Sequence, residues 1–200
     1  MRKFNLIIKR CIDILGSIFG LIILSPVLLI IAFLIKSTSS GPIFFKQKRL
    51  GYKGKIFEII KFRTMIVNAE HIGNGLRVED DSDERITKIG HFLRKTSLDE
   101  IPQLINVLKG DMSLVGPRPP VTYHPYKGYE NYSKIAKRRF DMRPGMTGLA
   151  QVCVRNSVDW NERIKYDIEY VCQFNIFLDI AILLKTIETI LNTEKIYSHK

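Results

Sequence analysis

Cysteine is scarce in this 200-residue sequence, and histidine is scattered. The three cysteines, Cys11, Cys153 and Cys172, have no paired spacing, which excludes a thiolate metal cluster and is typical of a reducing compartment. We interpret them as small apolar fillers. The four histidines lack metal-ligand spacing, so no catalytic role is predicted for them. Internal repeats are also lacking, and the length is sufficient for one domain with a core and an anchor.

Acidic residues are rare in the first third of the chain. Residues 1–63 contain twelve lysines and arginines but only two acidic residues, Asp13 and Glu58, so they hold +10 of the net charge of +11. This positive charge adjoins a long apolar segment, an arrangement that suits anionic lipid headgroups. A pI of about 9.6 is also found in proteins that bind nucleic acid, but the sequence has no nucleic-acid motif. We therefore predict membrane lipids, and no nucleic acid, as partners.

The apolar segment Ile14–Ile35 has twenty-two residues without a charge, enough to cross a hydrocarbon core of about 30 Å as a helix. Ser25 and Pro26 stand at its middle, where proline removes a backbone donor and predicts a kink. The Ser25 hydroxyl is a candidate partner for the backbone groups that the proline frees. Both flanks are basic, so the positive-inside rule gives no orientation. A kinked crossing helix and a re-entrant helix that leaves on its side of entry both remain open.

The rest of the chain predicts a helix-rich α+β fold, which divides the sequence into a membrane anchor at 1–36 and a domain at 37–200. Two β-type runs joined by the turn Gly51–Gly54 favour a small hairpin. Hydrophobic periodicity and capping residues predict five helices in the domain. The two runs cover residues 43–45 and 55–62, and the helices cover residues 87–94, about 97–110, 129–140, 159–174 and 176–191.

Three segments allow less definite predictions. Residues 68–85 are polar and acidic and predict a mobile loop, whereas residues 113–125 are rich in proline and predict a structured loop. The last helix, 176–191, is apolar around most of its circumference, but charged residues interrupt it too often for a membrane span. It either lies in the membrane interface or belongs to the core.

Two adjacent carboxylates, Asp99 and Glu100, stand at a predicted helix start. Acidic residues at this position stabilise the positive end of the helix dipole, which is one explanation of the pair. Ser97 with Glu100 fits a capping box. Alternatively, Asp99 is the cap and Pro102 lies in the first turn, where its missing donor costs little. The sequence leaves both caps open.

Basic residues around the pair offer a second explanation. Arg94 precedes the pair, Arg118 follows it, and Lys61 and Arg63 lie upstream. A helix N-terminus with arginines nearby favours phosphate binding. Carboxylates would repel a phosphate unless a cation bridges the two, and Mg²⁺ can do so. The pattern therefore predicts a site for a phosphate ligand and magnesium.

Six segments in a fixed order point to a known family. They are Ser25-Pro26, Lys61–Met65, Arg94–Leu104, Asn106–Ser113, Val115–Pro119 and Arg143–Val152. With these segments the sequence resembles the small monotopic phosphoglycosyl transferases, the bacterial sugar transferases that start O-antigen, capsule, exopolysaccharide and glycoprotein glycan assembly. The resemblance covers nearly the whole chain, and six segments together are specific where one alone would be weak.

The resemblance implies a fold, a location and a reaction. The fold has a re-entrant helix with a break at Ser25 and Pro26 and interfacial amphipathic helices. It lies on the bacterial inner membrane, with the catalytic domain facing the cytoplasm. Asp99 is implied to be a metal residue and the nucleophile that attacks the β-phosphorus of a UDP-sugar and releases UMP. Undecaprenyl phosphate then accepts the phosphosugar. Mg²⁺ is the implied cofactor, and Glu100 orients Asp99 or assists the metal.

Further residues are assigned to the substrates. The predicted phosphate and nucleotide-sugar contacts are Arg94, Arg118, Lys61, Arg63, Arg143 and Gln151. Val154 stands where relatives often have glycine, which leaves the sugar preference open. The polar and aromatic residues Asp159, Tyr166 and Asp167 are spaced as in a packed helix, so we interpret them as packing residues.

The predicted partners are therefore a UDP-sugar, undecaprenyl phosphate and membrane lipids, and a homodimer is left open. Two rival functions are a non-catalytic membrane adaptor of polysaccharide enzymes and another magnesium-dependent phosphotransfer enzyme acting on lipid phosphates. An adaptor would tolerate the loss of both carboxylates, whereas the other enzyme would not release UMP.

Overall fold

The computed structural model describes residues 2–69, 72, 83–154 and 157–191 and has a helix-rich α+β architecture, as predicted. The predicted mobile loop at 68–85 falls largely outside the described residues. In chain order the elements are α1 (Arg2–Thr38), β1 (Phe44–Leu50), β2 (Ile56–Phe62), α2 (Lys88–Lys95), α3 (Gln103–Lys109), β3 (Ser113–Val115), β4 (Gly145–Thr147), α4 (Leu149–Cys153), α5 (Trp160–Gln173) and α6 (Ile176–Leu191).

The predicted hairpin is confirmed. β1 and β2 pair antiparallel along their full length, so β1 is longer than the predicted run. Its second half is basic, yet the pattern of a half-buried strand continues there, with Lys46 and Lys48 exposed and Gln47 buried between them. Alternating exposure of this kind is typical of a strand with one solvated face.

A second small sheet was not predicted. Strands β3 and β4 pair in parallel, with Ser113 opposite Gly145 and Val115 opposite Thr147. Strands of three residues are too short for a hydrophobic period to be recognised. A side chain on Gly145 would collide with the main-chain nitrogen of Gly116, so glycine is required where the two segments meet. The pairing fixes the start of the proline-rich segment that follows β3.

Three of the predicted helices form at the predicted places. The hydroxyl of Thr87 accepts a hydrogen bond from the Gly90 N–H at the start of α2, and the carboxylate of Asp159 accepts one from the Glu162 N–H at the start of α5. Caps of this kind satisfy donors that the first turn leaves free. The bounds of α6 are those predicted from the sequence.

The predicted helix at 129–140 is wrong. The segment forms two short 3₁₀ turns, Tyr129–Asn131 and Ala136–Asp141. Between them the Ser133 hydroxyl accepts the Ala136 N–H, a local bond that competes with helix formation. The Tyr132 ring packs edge-on against the ring of Phe140, so the aromatic residues are used in a compact turn.

The interpretation of the cysteines as apolar fillers is also wrong, because Cys11, Cys153 and Cys172 are all exposed. Cys153 and Cys172 each follow a buried valine on their helices. Val171, for example, is buried directly before Cys172.

Helix α1 continues through Pro26. The Ser25 hydroxyl donates to the Ile22 carbonyl at 2.8 Å, and that carbonyl is the one whose regular partner would be the N–H of residue 26. The serine therefore replaces the donor that proline lacks, as expected from the sequence. Among the described residues, α1 is the one helix long and apolar enough to cross a membrane, judged by length and composition.

Both halves of α1 contact the rest of the chain. Before Pro26, Lys9 binds Asp179 at 2.6 Å and the Val115 carbonyl at 2.8 Å. After Pro26, Ile31 and Ile35 are buried in an apolar cluster with side chains of β2 and α2. The first half is therefore attached by charged groups and the second half by apolar packing.

Helix α6 has two different faces. One carries the buried residues Asp179 and Ile182 into the core. The other exposes large apolar side chains, with Phe177 83% and Leu184 63% exposed. One face therefore packs in the core, as one alternative predicted, and contact of the other face with the membrane interface stays a prediction.

Candidate active site

The carboxylate pair lies on a 3₁₀ turn, Leu98–Glu100, between α2 and α3. Ser97 takes a left-handed conformation with φ of 57°, and its side chain makes no capping bond. Helix α3 begins at Gln103, after Pro102. Both predicted caps, Ser97 and Asp99, are therefore wrong, because Ser97 makes no capping bond and α3 begins only after Pro102. The dyad stands on a tight turn and not in the first turn of a helix.

Glu100 is tied to strand β2. The Nζ atom of Lys61 lies 2.5 Å from Oε1 of Glu100, and both side chains are largely buried. Burial by itself would raise the pKa of Glu100, but Lys61 and Arg118 outweigh this effect and hold the pKa at about 2. Glu100 is therefore an ionised, immobilised carboxylate.

Asp99 has a different environment. Burial raises its pKa to about 6, Glu100 adds to the rise, and Lys61 and Arg94 oppose it. Among the described residues no side chain donates a hydrogen bond to the Asp99 carboxylate. Two neighbouring carboxylates whose environments differ in this way can take different chemical roles. Asp99 is the more basic of the two and the one left available for a ligand or for bond formation.

Two of the predicted arginines lie close to the dyad. Arg94, in the last turn of α2, donates from Nε to the Thr64 hydroxyl at 3.1 Å and is near enough to lower the pKa of Asp99. Arg118 lies in the proline-rich segment after β3 and lowers the pKa of Glu100. The structure therefore assembles Lys61, Arg94 and Arg118 around the carboxylates. Cations in this arrangement suit a ligand with several negative charges.

Arg49 was not among the predicted site residues. Burial and the neighbouring Arg118 lower its pKa to about 10, while Glu100 acts in the opposite direction. Its Nη1 atom donates to the Pro119 carbonyl at 2.9 Å. Nothing in the local sequence around Arg49 distinguishes it from the other basic residues of β1, because only the tertiary fold brings it near Glu100 and Arg118.

The other predicted contacts bind main-chain atoms. Arg63 donates to carbonyls of Ser39 and Ser40, at the end of α1. Arg143 donates to the Gly110 carbonyl at 2.9 Å, and Gln151 donates to the carbonyl of its neighbour Met146 at 2.8 Å. The structure places none of the three side chains in a hydrogen bond with the dyad, and their roles toward a substrate stay predictions.

The carboxylates suit magnesium in number and chemistry. The described part of the chain has no cluster of three or more histidine, cysteine, aspartate or glutamate residues that could enclose a metal. Mg²⁺ does not need such a cage, because it commonly binds through one or two carboxylates and completes its shell with water and substrate phosphates. The Asp99 carboxylate, which has no side-chain partner in the described part of the chain, fits that requirement.

Comparison with known proteins places the chain in a family. The family described as bacterial sugar transferase matches residues 4–193. The galactosyl transferase CpsE of Streptococcus agalactiae is 45% identical in an alignment of length 197 that covers 94% of this chain and 43% of that protein. The undecaprenyl-phosphate galactose phosphotransferase of Salmonella typhimurium is 40% identical in an alignment of length 209, gaps included, that covers 98% of this chain and 43% of that protein.

A sugar transferase of Bacillus subtilis, EpsL, which is uncharacterized, is 41% identical over 192 residues, 96% of this chain and 91% of that protein. The chain thus spans less than half the length of the first two relatives and nearly all of the third. The family match runs from the start of α1 beyond the end of α6 and includes the dyad. This chain belongs to the bacterial sugar transferase family.

Proposed function

We propose that this chain transfers a sugar-1-phosphate from a UDP-sugar to undecaprenyl phosphate and releases UMP. The observation that carries the proposal is the asymmetry of the dyad, in which Glu100 is bound by Lys61 while Asp99 is free of side-chain partners in the described residues. The name of the Salmonella relative, which specifies undecaprenyl phosphate and galactose, supports the lipid acceptor. The sugar that this chain transfers is left open.

In the first step, a carboxylate oxygen of Asp99 attacks the β-phosphorus of the UDP-sugar. The bond from that phosphorus to the oxygen bridging the two phosphates breaks, and UMP leaves with the electron pair. The phosphosugar is then held on Asp99 as an acyl phosphate. A covalent intermediate divides one difficult displacement into two easier ones.

In the second step, a phosphate oxygen of undecaprenyl phosphate attacks the same phosphorus and the Asp99 carboxylate leaves. The product is undecaprenyl diphosphate carrying the sugar, and the enzyme is regenerated. Phosphoryl transfer depends mainly on positioning and charge neutralisation, which Arg94 and Arg118 supply beside the dyad. Glu100, fixed by Lys61, keeps the turn in place and adds negative charge that keeps Asp99 basic.

Magnesium is part of this proposal. Bound through the Asp99 carboxylate, Mg²⁺ would supply charge neutralisation to the diphosphate of the donor. The side chains of the chain then have to orient the donor. Arg94 does so from α2, and Arg118 from the proline-rich segment after β3. Glu100 does not depend on the metal for its charge balance, because Lys61 already pairs with it.

The membrane attachment follows from the contacts of α1. We infer a re-entrant helix on the cytoplasmic face of the inner membrane, because both halves of α1 contact the same catalytic domain. A crossing helix would carry its first residues away from a domain that its last residues touch, yet Lys9 binds Asp179 and Ile35 is buried beside Phe62. The open apolar face of α6 suits the same lipid surface, so the dyad would lie near the level of lipid phosphates.

The decisive experiment is UMP release by the purified full chain with undecaprenyl phosphate, magnesium and a panel of UDP-sugars. We expect turnover with at least one sugar, and a burst limited to one UMP per enzyme when the lipid is omitted. An adaptor would release no UMP with any donor. Release of UDP in place of UMP would mean that a glycosyl group, not a phosphosugar, is transferred, and would overturn the proposal.

A further inference from the structure

A buried ion pair lies outside the dyad. Arg139, in the 3₁₀ turn Ala136–Asp141, and Asp167, in α5, are joined between Nη2 and Oδ2 at 2.5 Å, and their side chains are 0% and 2% exposed. Burial of two charges is expensive, and apolar residues of similar volume often stabilise a fold as well. Stability alone therefore does not explain why the pair is present.

Two bonds connect Asp167 to the main chain of Arg118. The Asp167 carboxylate accepts from the Nη2 atom of Arg139, and the same atom donates to the Arg118 carbonyl at 2.7 Å. The Arg118 amide also lies close enough to the Asp167 carboxylate to lower its pKa, so one residue of the proline-rich segment is held at its carbonyl by a guanidinium that the carboxylate fixes in turn.

The chemistry of this segment makes the two bonds important. Residues 117–120 are Pro-Arg-Pro-Pro, and proline has no N–H, so the Arg118 amide is the one main-chain donor of the four residues. All four carbonyls accept hydrogen bonds, from the Gly145 N–H, Arg139, Arg49 and the Leu50 N–H in that order. The segment is therefore placed by groups around it, and the ion pair places its one charged residue.

Arg118 connects this segment to the dyad. Its guanidinium acts on Glu100, and it also lies close to Arg49. A displacement of the Arg118 main chain would move a cation that faces the predicted phosphate site. Misplacement of a positioned group by about 1 Å can cost a large part of the rate.

We propose that Arg139 and Asp167 form a positioning pair, which fixes the main chain of Arg118 and thereby aims its guanidinium at the phosphates of the sugar donor. The inference rests on the proposed function, because it assigns Arg118 to the donor. Neither member of the pair contacts the reacting atoms. The pair acts through Arg118.

A double-mutant cycle tests this role. Asp167→Asn keeps the size of the side chain and one acceptor oxygen but replaces the other acceptor with a donor. We expect it to lower kcat/KM for UMP release by about tenfold or more in the parent chain and by less than about twofold in an Arg118→Ala background. Equal losses in both backgrounds would overturn the proposal, because they would mean that the pair acts independently of Arg118.

Ile164→Val is the matched control. Ile164 is buried in α5, three residues before Asp167, and packs with Tyr132 and Phe140. The control loosens the same helix without removing a bond to Arg118, so its effect is expected to be the same in both backgrounds. If the effect of Ile164→Val on kcat/KM also shrank in the Arg118→Ala background, as that of Asp167→Asn is expected to do, general loosening of the helix would explain both results. That outcome would also overturn the proposal.

Hydrogen exchange separates this inference from the proposed function, since it requires no turnover. The Arg118 amide is expected to exchange more than tenfold faster in Asp167→Asn, while the Gly116 N–H, which donates to the Thr147 carbonyl, keeps its rate. If the parent releases no UMP, the proposed function fails, and exchange alone decides whether the pair holds Arg118. Unchanged exchange at Arg118 would show that the pair does not position it.

Discussion

Carboxylates meet basic side chains both at the start of α1 and at the turn that carries the dyad, but the two regions are built differently. At the start of α1 every carboxylate has partners: Asp179 accepts from Lys9 and from the Tyr170 hydroxyl, and Asp13 accepts from the Ser113 hydroxyl and the Leu114 N–H. Each of these bonds joins α1 or α6 to the domain. We call this the saturated region, because both of its carboxylates have partners.

At the dyad the two carboxylates differ in the number of their basic and hydrogen-bonding partners. Glu100 has Lys61 and Arg118 beside it, whereas the Asp99 carboxylate keeps a raised pKa, caused first by burial, and lacks a side-chain partner in the described residues. A buried carboxylate whose pKa stays raised although Lys61 and Arg94 partly offset its burial is a candidate for function. The carboxylates with hydrogen-bond partners therefore attach α1 and α6 to the domain, and the carboxylate that lacks a side-chain partner in the described residues is the candidate for chemistry.

The largest effect that this comparison predicts is the loss of activity in Asp99→Asn. An amide cannot form the acyl phosphate, so UMP release is expected to fall by about a thousandfold or more, with no phosphosugar adduct on residue 99 in intact-protein mass spectrometry. The protein is expected to remain folded and membrane-bound, because no side chain among the described residues is bonded to the Asp99 carboxylate.

Asp141→Asn provides the control for that substitution. Asp141 is an exposed carboxylate paired with Lys53, and its loss is expected to leave UMP release unchanged. Residual activity in Asp99→Asn above about a tenth of the parent would argue against the covalent route, since direct transfer to the lipid would then suffice.

The sequence predicted the dyad and two of its arginines because those residues stand in short segments whose residue types already indicate phosphate chemistry. Arg94 is five residues before Asp99, and Arg118 lies in a distinctive proline motif. The family resemblance assigned different roles to the two carboxylates, but no local pattern predicted the contacts by which the structure distinguishes them. That distinction depends on Lys61, which reaches Glu100 from β2, and no local pattern specifies which carboxylate an incoming lysine will bind.

The remaining errors share a physical cause. Strands β3 and β4 are three residues each, so their pairing is decided by tertiary contacts and by the tight approach at Gly145. Asp167 was interpreted as a packing residue from its helical spacing. It is buried as expected, but the groups beside its carboxylate, Arg139 and the Arg118 main chain, lie 28 and 49 residues away in the sequence.

A second, smaller effect is expected at the saturated region. Lys9→Met leaves the buried Asp179 without its cation, which typically costs about 3–5 kcal/mol of folding free energy. The loss should be measured as a lower Tm of the full chain in detergent, while UMP release per folded molecule is kept. The double variant Lys9→Met, Asp179→Leu is expected to recover most of the stability, because the uncompensated charge is gone.

The exposed pair of Lys53 and Asp141 is the matched control for that experiment. Lys53→Met breaks a salt bridge whose side chains are 53% and 40% exposed, and such pairs contribute about 0–1 kcal/mol. Equal shifts of Tm in Lys9→Met and Lys53→Met would contradict the view that the start of α1 is held by buried charge. The buried carboxylates of the saturated region would then have no special role in stability.

The smallest expected effect is equal labelling of two cysteine positions, and it tests the re-entrant form of α1. Single cysteines at Asn5, near the start of α1, and at Ser40, just after its end, lie on either side of Pro26. The three native cysteines are exposed and have to be replaced by serine first. In intact spheroplasts a membrane-impermeant maleimide should label neither Asn5→Cys nor Ser40→Cys, and after permeabilisation it should label both.

This equality follows from the contacts of α1, since Lys9 and Ile35 both pack on one domain and a domain lies on one side of a membrane. A crossing helix gives a different result, in which Asn5→Cys is labelled in intact spheroplasts and Ser40→Cys is not. That outcome would require the bond between Lys9 and Asp179 to be absent in the membrane. It would also separate the saturated region from the domain that the dyad occupies.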